Sequence, residues 1–231
     1  MKCFQRAVSA CLIFTAGAGF AGRPLAIDNA DPVDVGMFEF ELGAGYESDS
    51  ACNHAEIPLG LSYGLMPGVQ IGVAFGGQLE ERDEITGSDR KCGIGDLELS
   101  AKWKFFDETG LFPAQALSAA VKIPTADNSN ELGSGEMDYD ITWIASKTVG
   151  EKTGIHMNAG YTWIGEPAGE EVGDVIHYGV AVDYQLTEIV QWVGEVFAEK
   201  ELQGGTQTAV QYNTGFRWNP SETLTLDVAA G

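Results

Sequence analysis

Basic side chains are scarce in this chain: 13 Lys and Arg stand against 34 Asp and Glu, a formal charge of −21. Nucleic acid is thereby excluded as a partner, because duplex affinity rests on Lys and Arg neutralising phosphates. The polybasic patch that draws proteins to anionic lipid surfaces is missing as well. Cysteine is sparse, with four residues, and Cys3 and Cys11 fall within the first 21 positions. After Ala21 no run approaches the ~18 consecutive apolar residues that a spanning helix needs. No stretch carries a helical period either, so a helical membrane protein is excluded.

What is present begins with Met1-Lys2-Cys3-Phe4-Gln5-Arg6, a short basic start, and an apolar run over 7–20 with no acidic group. Gly19-Phe20-Ala21 then offers small residues before Gly22. This is the layout of a cleaved secretory signal peptide over 1–21, leaving an extended segment over 22–36 and one domain over 37–231. Cys11 precedes most of the apolar run, which argues against a lipoprotein. Loss of Lys2 and Arg6 leaves 11 basic and 34 acidic residues, or −23, in the mature chain. An exported chain without a spanning helix enters a membrane only as a closed barrel, because lipid satisfies no backbone hydrogen bond.

Strand alternation runs the length of the domain. Phe38, Phe40, Leu42, Ala44 and Tyr46 alternate with Glu39, Glu41, Gly43 and Gly45. Leu97, Leu99, Ala101, Trp103 and Phe105 alternate with Asp96, Glu98, Ser100, Lys102 and Lys104. Further strands are predicted near 57–65, 69–76, 115–123, 138–149, 155–164, 175–186, 190–199, 208–218 and 224–230. About eleven strands of roughly ten residues, each with one apolar and one polar or glycine face, is the pattern of a transmembrane barrel. A soluble β-sandwich alternates too, and three features separate the two. Short connectors (65–68, 107–113, 150–154, 187–189, 219–223) alternate with longer acidic ones (47–55, 77–93, 124–137, 165–174, 200–207). Aromatic residues on the apolar parity gather near strand ends: Tyr63, Trp103, Phe105, Tyr184, Trp192, Phe216 and Trp218 at one end. Tyr46, Phe75, Tyr139, Tyr161, Trp163 and Tyr178 stand at the other, as interfacial girdles require. The apolar parity is also nearly free of charge, with Lys147 the exception, close enough to a strand end for its ammonium to snorkel.

The residues also carry a resemblance. Arg23-Pro24-Leu25-Ala26, Val35-Gly36, Gly93-Ile94-Gly95-Asp96-Leu97-Glu98-Leu99 with Lys102, and Ile123-Pro124-Thr125-Ala126-Asp127 occur in order. Leu132-Gly133-Ser134-Gly135, Ser146-Lys147 and Asn158-Ala159-Gly160-Tyr161 follow. Together they resemble the outer-membrane channel family labelled MetA-pathway of phenol degradation, over nearly all of the mature chain. The resemblance implies a transporter-like barrel, sometimes tied to the breakdown of aromatic compounds. Bacterial barrels carry even strand numbers, so the expectation is an all-β, up-and-down antiparallel barrel of about twelve strands, the last beyond Gly231.

The polar parity supplies the site candidates: Glu39, Glu41, Asp96, Glu98, Lys102, Lys104, Lys122, Asp140, His156, His177, Glu195 and Arg217, all predicted to face the lumen. Hairpin pairing places Lys122 near Asp96 and Glu98, and Arg217 near Asp227. Such charges either pair with one another, because unpaired buried charge is costly, or select permeating solutes; both readings stay open. His156 with Asn158 is similar to the His/Asn pair of outer-membrane phospholipases, but no serine stands out as their nucleophile and a lipid substrate needs an outward site. No catalytic residue, cofactor or metal is assigned. Gly93-Ile94-Gly95-Asp96 is followed by no helix that could hold a phosphate, and the oxygen-rich 127–131 suits a solvated loop as well as Ca²⁺. Cys52 and Cys92, in the first two long connectors, are expected to form a disulfide in an oxidising compartment, the alternative being two free thiols. The function expected is passive passage of small solutes, hydrophobic or aromatic among them, through the bacterial outer membrane, with its lipid and lipopolysaccharide as surroundings. The rivals are a barrel plugged by its charges, its loops or segment 22–36 that acts structurally or as an adhesion surface, and an outer-membrane hydrolase.

Overall fold

A computed structural model of the chain describes residues 25–48, 52–84, 87–127, 132–167, 172–203 and 207–231, with side chains of 47–48, 52–53, 80–84 and 87–90 left aside. The predicted signal peptide lies outside the described residues, as do positions 128–131 of the oxygen-rich run. Thirteen strands form one antiparallel sheet. They are β1 (Phe38–Leu42), β2 (Gly45–Ser48), β3 (Cys52–Met66), β4 (Val69–Glu84), β5 (Gly87–Ile94), β6 (Leu97–Phe106) and β7 (Ala114–Ile123), then β8 (Asp138–Val149), β9 (Thr153–Trp163), β10 (Val175–Gln185), β11 (Val190–Glu201), β12 (Ala209–Ser221) and β13 (Leu224–Ala230).

Eleven of them follow one another as neighbours in chain order, β1-β3-β4-β6 and onward to β13, the up-and-down order that the alternation predicts. β2 pairs with the outer part of β3, beyond β1, and β5 with the outer part of β4, beyond β6. Each is thus the continuation of its neighbour past a short break, at 43–44 and at 95–96. No ladder joins β1 to β13 among the described residues.

The sheet is inside-out relative to a soluble protein. Phe40, Tyr46, Trp103, Tyr139, Val180, Phe216 and Val228 stand exposed, while Ser62, Gln70, Glu98, Lys102, Asp138, Thr142, His177 and Glu195 are buried. Burying polar groups behind an exposed apolar face makes sense when lipid covers the outside. Most of the expected girdle residues are exposed: Trp103, Phe105, Tyr184, Phe216 and Trp218 at the short-turn end, and Tyr46, Phe75, Tyr139, Trp163 and Tyr178 at the other, whereas Tyr63, Trp192 and Tyr161 are only half-exposed. Lys147 reaches the short-turn end as expected, its Nζ 2.7 Å from Glu108 Oε1 and 2.7 Å from the Thr109 carbonyl. That ammonium, with the Thr148 amide, holds the Glu108 carboxyl below the usual range.

Val180 sits outward at the centre of β10, opposite Met157 and Val196. Val180→Lys is expected to cost ~2–4 kcal/mol, the penalty of a lipid-facing ammonium at mid-membrane depth. Urea unfolding in lipid vesicles measures it, and an unchanged midpoint would place this face away from lipid.

Two expectations are corrected. Residues 47–55 and 77–93, read as loops, are paired strand: β2 with β3 on either side of 49–51, and β4 with β5 on either side of 85–86. The cysteines do not meet. Cys52 of β3 lies opposite Arg82 and Cys92 of β5 opposite Leu79, on the two flanks of β4 and three residues out of step. Two strand spacings of ~4.8 Å already exceed the ~4.4–6.8 Å Cα separation of a disulfide. Cys92 is an exposed free thiol, and the Cys52 side chain lies outside the described residues.

Candidate functional site: a strap across the lumen

Residues 25–36 form no strand, yet Leu25, Ile27, Asp28 and Ala30 are buried. They lie inside the curl of the sheet as a strap. A segment without secondary structure leaves its backbone groups to find partners elsewhere, and the inward parity of the wall supplies them. Glu195 on β11 accepts the Ala26 N–H and the Ile27 N–H, each at 2.9 Å and on separate oxygens. Asn158 on β9, with its amide turned to satisfy both neighbours, donates to the Asp28 carbonyl at 3.0 Å and accepts the Asp28 N–H at 2.8 Å. Ser146 on β8 accepts the Ala30 N–H at 2.8 Å. Gln70 on β4 accepts the Val33 N–H at 2.8 Å and donates to Ser62 of β3. The strap therefore crosses from β11 to β3, and Val35 leaves it through a bridge to Gly64. A side chain at position 64 would strike the Asp34 carbonyl, so glycine is required there for the backbones to approach.

Charge fixes the same segment. Lys102 of β6 is buried and lies 2.6 Å from Asp28 Oδ2, while donating to the Asn29 carbonyl at 3.2 Å. Lys104 pairs with Asp31 at 3.0 Å and with Asp107 at 2.9 Å, both exposed carboxylates.

Beyond the strap, toward the long-connector end, the wall is acidic. Lys122 pairs with Asp138 at 2.5 Å and with Asp96 at 3.7 Å, and donates to Ser134 at 3.1 Å. The expected contact of Lys122 with Asp96 is present. Glu98, opposite Lys122 in register, is instead left with a buried, unpartnered Oε1, because Asp138 and Ser134 occupy the ammonium. Asp140 accepts from Thr142 at 2.7 Å and Thr162 at 2.8 Å, and lies 2.8 Å from His177 Nε2. A cavity of ≈20 Å³ beside Ala26 and Asp28 is lined by Asp140, Thr142, His177 and Phe197, room for about one water. Glu39 and Glu41 sit on the edge strand β1, opposite Ser62 and Gly60. Arg217 lies opposite Asp227 in register, as the short turn predicts, and donates to Gln191 Oε1 at 3.0 Å.

One constellation escapes the reading of the sequence. Ser146 Oγ lies 2.8 Å from His156 Nδ1, and His156 Nε2 lies 2.6 Å from Asp183 Oδ2. Asp183 also accepts from Gln191 at 2.7 Å. The turn at 150–152 was the signal that could have revealed the serine, since pairing through it sets Ser146 opposite His156. A serine, histidine and aspartate in line can activate a nucleophile. Here the serine oxygen already accepts the strap's Ala30 amide, and Ser146 is buried, so the row acts as an anchor running from strap to wall. Among the described residues no group of three or more His, Cys, Asp or Glu could hold a metal ion.

An up-and-down antiparallel sheet with an apolar exterior, a hydrogen-bonding interior and a strap across that interior defines an all-β architecture compatible with an up-and-down β-barrel. The chain belongs to the family described as Putative MetA-pathway of phenol degradation, whose model matches residues 21–231. Comparison with curated proteins finds no match.

Proposed function

We propose that this chain, exported by a cleaved leader over 1–21, is an outer-membrane channel for passive passage of small solutes, closed by its own strap. The supporting observation is that the lumen is filled by a non-strand segment held through side chains, while the wall ladders stand without it. A wall built to be permanently solid would bury apolar side chains at those positions; this one presents hydrogen-bonding groups that water or a solute can satisfy. The family description fits passage of aromatic compounds among such solutes. Membrane lipid and lipopolysaccharide are the surroundings of the exposed apolar belt.

The reaction proposed is passage, not catalysis. The Ser146 hydroxyl is buried and hydrogen-bonded to the strap's Ala30 amide, so a substrate has no access to it while the strap is docked, and labelling of Ser146 by a fluorophosphonate would overturn that assignment. The second reading is a permanently plugged structural barrel, favoured by the buried Asp28–Lys102 pair. Conductance in planar bilayers separates the two: a permanently plugged barrel stays silent under every voltage and solute.

An acidic lumen concentrates cations. Open states are therefore expected to prefer K⁺ over Cl⁻ in a tenfold salt gradient, read as the sign of the reversal potential. A clear anion preference would contradict the placement of Asp138, Asp140, Glu195 and Glu199 on the wall.

A further inference from the structure

The first three strap residues sit on the wall as a ligand sits in a pocket. Leu25 and Ile27 form one buried cluster with Ala181 of β10 and Val193 and Phe197 of β11. The wall is hollowed to receive them: a Cβ at Gly179 would stand 2.6 Å from Ile27 Cδ1. Glu195 faces the strap between Val193 and Phe197, all three on the inward parity of β11. Its two oxygens take the two successive amides of Ala26 and Ile27, and Asn213 Nδ2 adds a third donor at 2.6 Å. Among the described residues Glu195 pairs with no lysine or arginine, although it is buried. Its charge is thus balanced by neutral donors alone.

A buried carboxylate held by neutral N–H groups is bound more strongly by a cation offering the same fork, because the cation keeps the two-point geometry and adds the attraction of opposite charges in a low-dielectric site. We propose that 25–27 is a tethered occupant of a solute site in the lumen, and that the site takes a small apolar cation with a forked pair of N–H donors. An amidinium on an aromatic body has that form. Its two N–H groups span the Glu195 oxygens as the Ala26 and Ile27 amides do, and its ring lies on Ala181, Val193 and Phe197 where Leu25 and Ile27 pack. The strap and the solute compete for one surface, so apparent affinity is lowered by the fraction of time the strap is docked. The proposal rests on the channel reading and names the solute class of its lumen.

Benzamidine is the probe, with phenol as neutral comparator and benzoate as anionic comparator, measured by saturation-transfer NMR on full-length protein in non-ionic micelles. Heat-modifiable gel migration checks folding. Leu25→Ser/Ile27→Ser removes the strap's apolar hold and is expected to raise benzamidine affinity about tenfold or more over wild type. Adding Glu195→Gln should reverse that gain while leaving phenol binding little changed; where Glu195→Gln fails to fold, Phe197→Leu in the strap-substituted protein should weaken benzamidine and phenol together. Equal binding of benzamidine to wild type and the strap variant overturns the proposal, as does equal binding of benzamidine and phenol. Absent binding with conductance retained would strike this inference alone, whereas binding without conductance would strike the channel reading.

Discussion

Deleting 25–32 is expected to raise single-channel conductance by roughly tenfold or more, because the segment crosses the lumen from β11 to β6 and an aqueous path replaces it. The wall survives the deletion. Its ladders are strand to strand, and 25–32 meets it through side chains of Glu195, Asn158, Ser146, Lys102 and Lys104, with Leu25 and Ile27 packed on Ala181, Val193 and Phe197. Those groups lose strap partners but gain water, so no buried orphan is created in a hydrated lumen. Retaining 33–36 keeps the Val35–Gly64 bridge and the lead into β1. Conductance is read in planar bilayers, with heat-modifiable migration as the check on folding. Equal conductance with and without 25–32 would mean that the strap does not obstruct the path, and the closed-channel reading would fall.

The wall was legible in the sequence because a sheet with an apolar outer face and a polar inner face enforces a strict period. Phe38 with Phe40, and Trp103 with Phe105, must face outward, so Glu39, Lys102 and Lys104 take the other face. Beyond the apolar band that constraint ends. The 77–93 stretch lacks an apolar parity and reads as a loop, yet backbone pairing carries β4 and β5 past the belt. The cysteine pairing failed for the same reason, since strands hold Cys52 and Cys92 to a register that loops would have relaxed. Segment 22–36 was legible as one candidate plug among several, but its anchors were not, for a different reason. Its conformation follows no period, and its partners are spread from Gln70 to Glu195 on separate strands, so only the assembled sheet brings them to one place. His156 shows the intermediate case: local pairing across 150–152 was readable, but the strap amide that completes its row was not.

Lys102→Met should release the strap without removing it. Lys102 and Asp28 are buried with their charged atoms 2.6 Å apart, and Lys102 also holds the Asn29 carbonyl. Methionine fills the same space but leaves Asp28 as a buried carboxylate without a counter-charge, a change worth ~3–5 kcal/mol. Undocking lets Asp28 reach water while the ladders persist, so the penalty falls on strap docking and shifts that equilibrium by roughly 10²–10⁴-fold. Lys104→Met is the contrast, because its partners Asp31 and Asp107 are 70% and 85% exposed and exposed pairs contribute ~0–1 kcal/mol. Asp28→Asn/Lys102→Met removes the stranded charge and keeps the Asn158 bonds to the backbone of residue 28, so docking should largely return; the two changes are coupled, not additive. Hydrogen exchange at the amides of Ala26, Ile27, Ala30 and Val33 reads the docking equilibrium directly, and conductance should follow it. Unchanged exchange in Lys102→Met, or a double variant as open as the single, would show that the buried pair does not hold the strap.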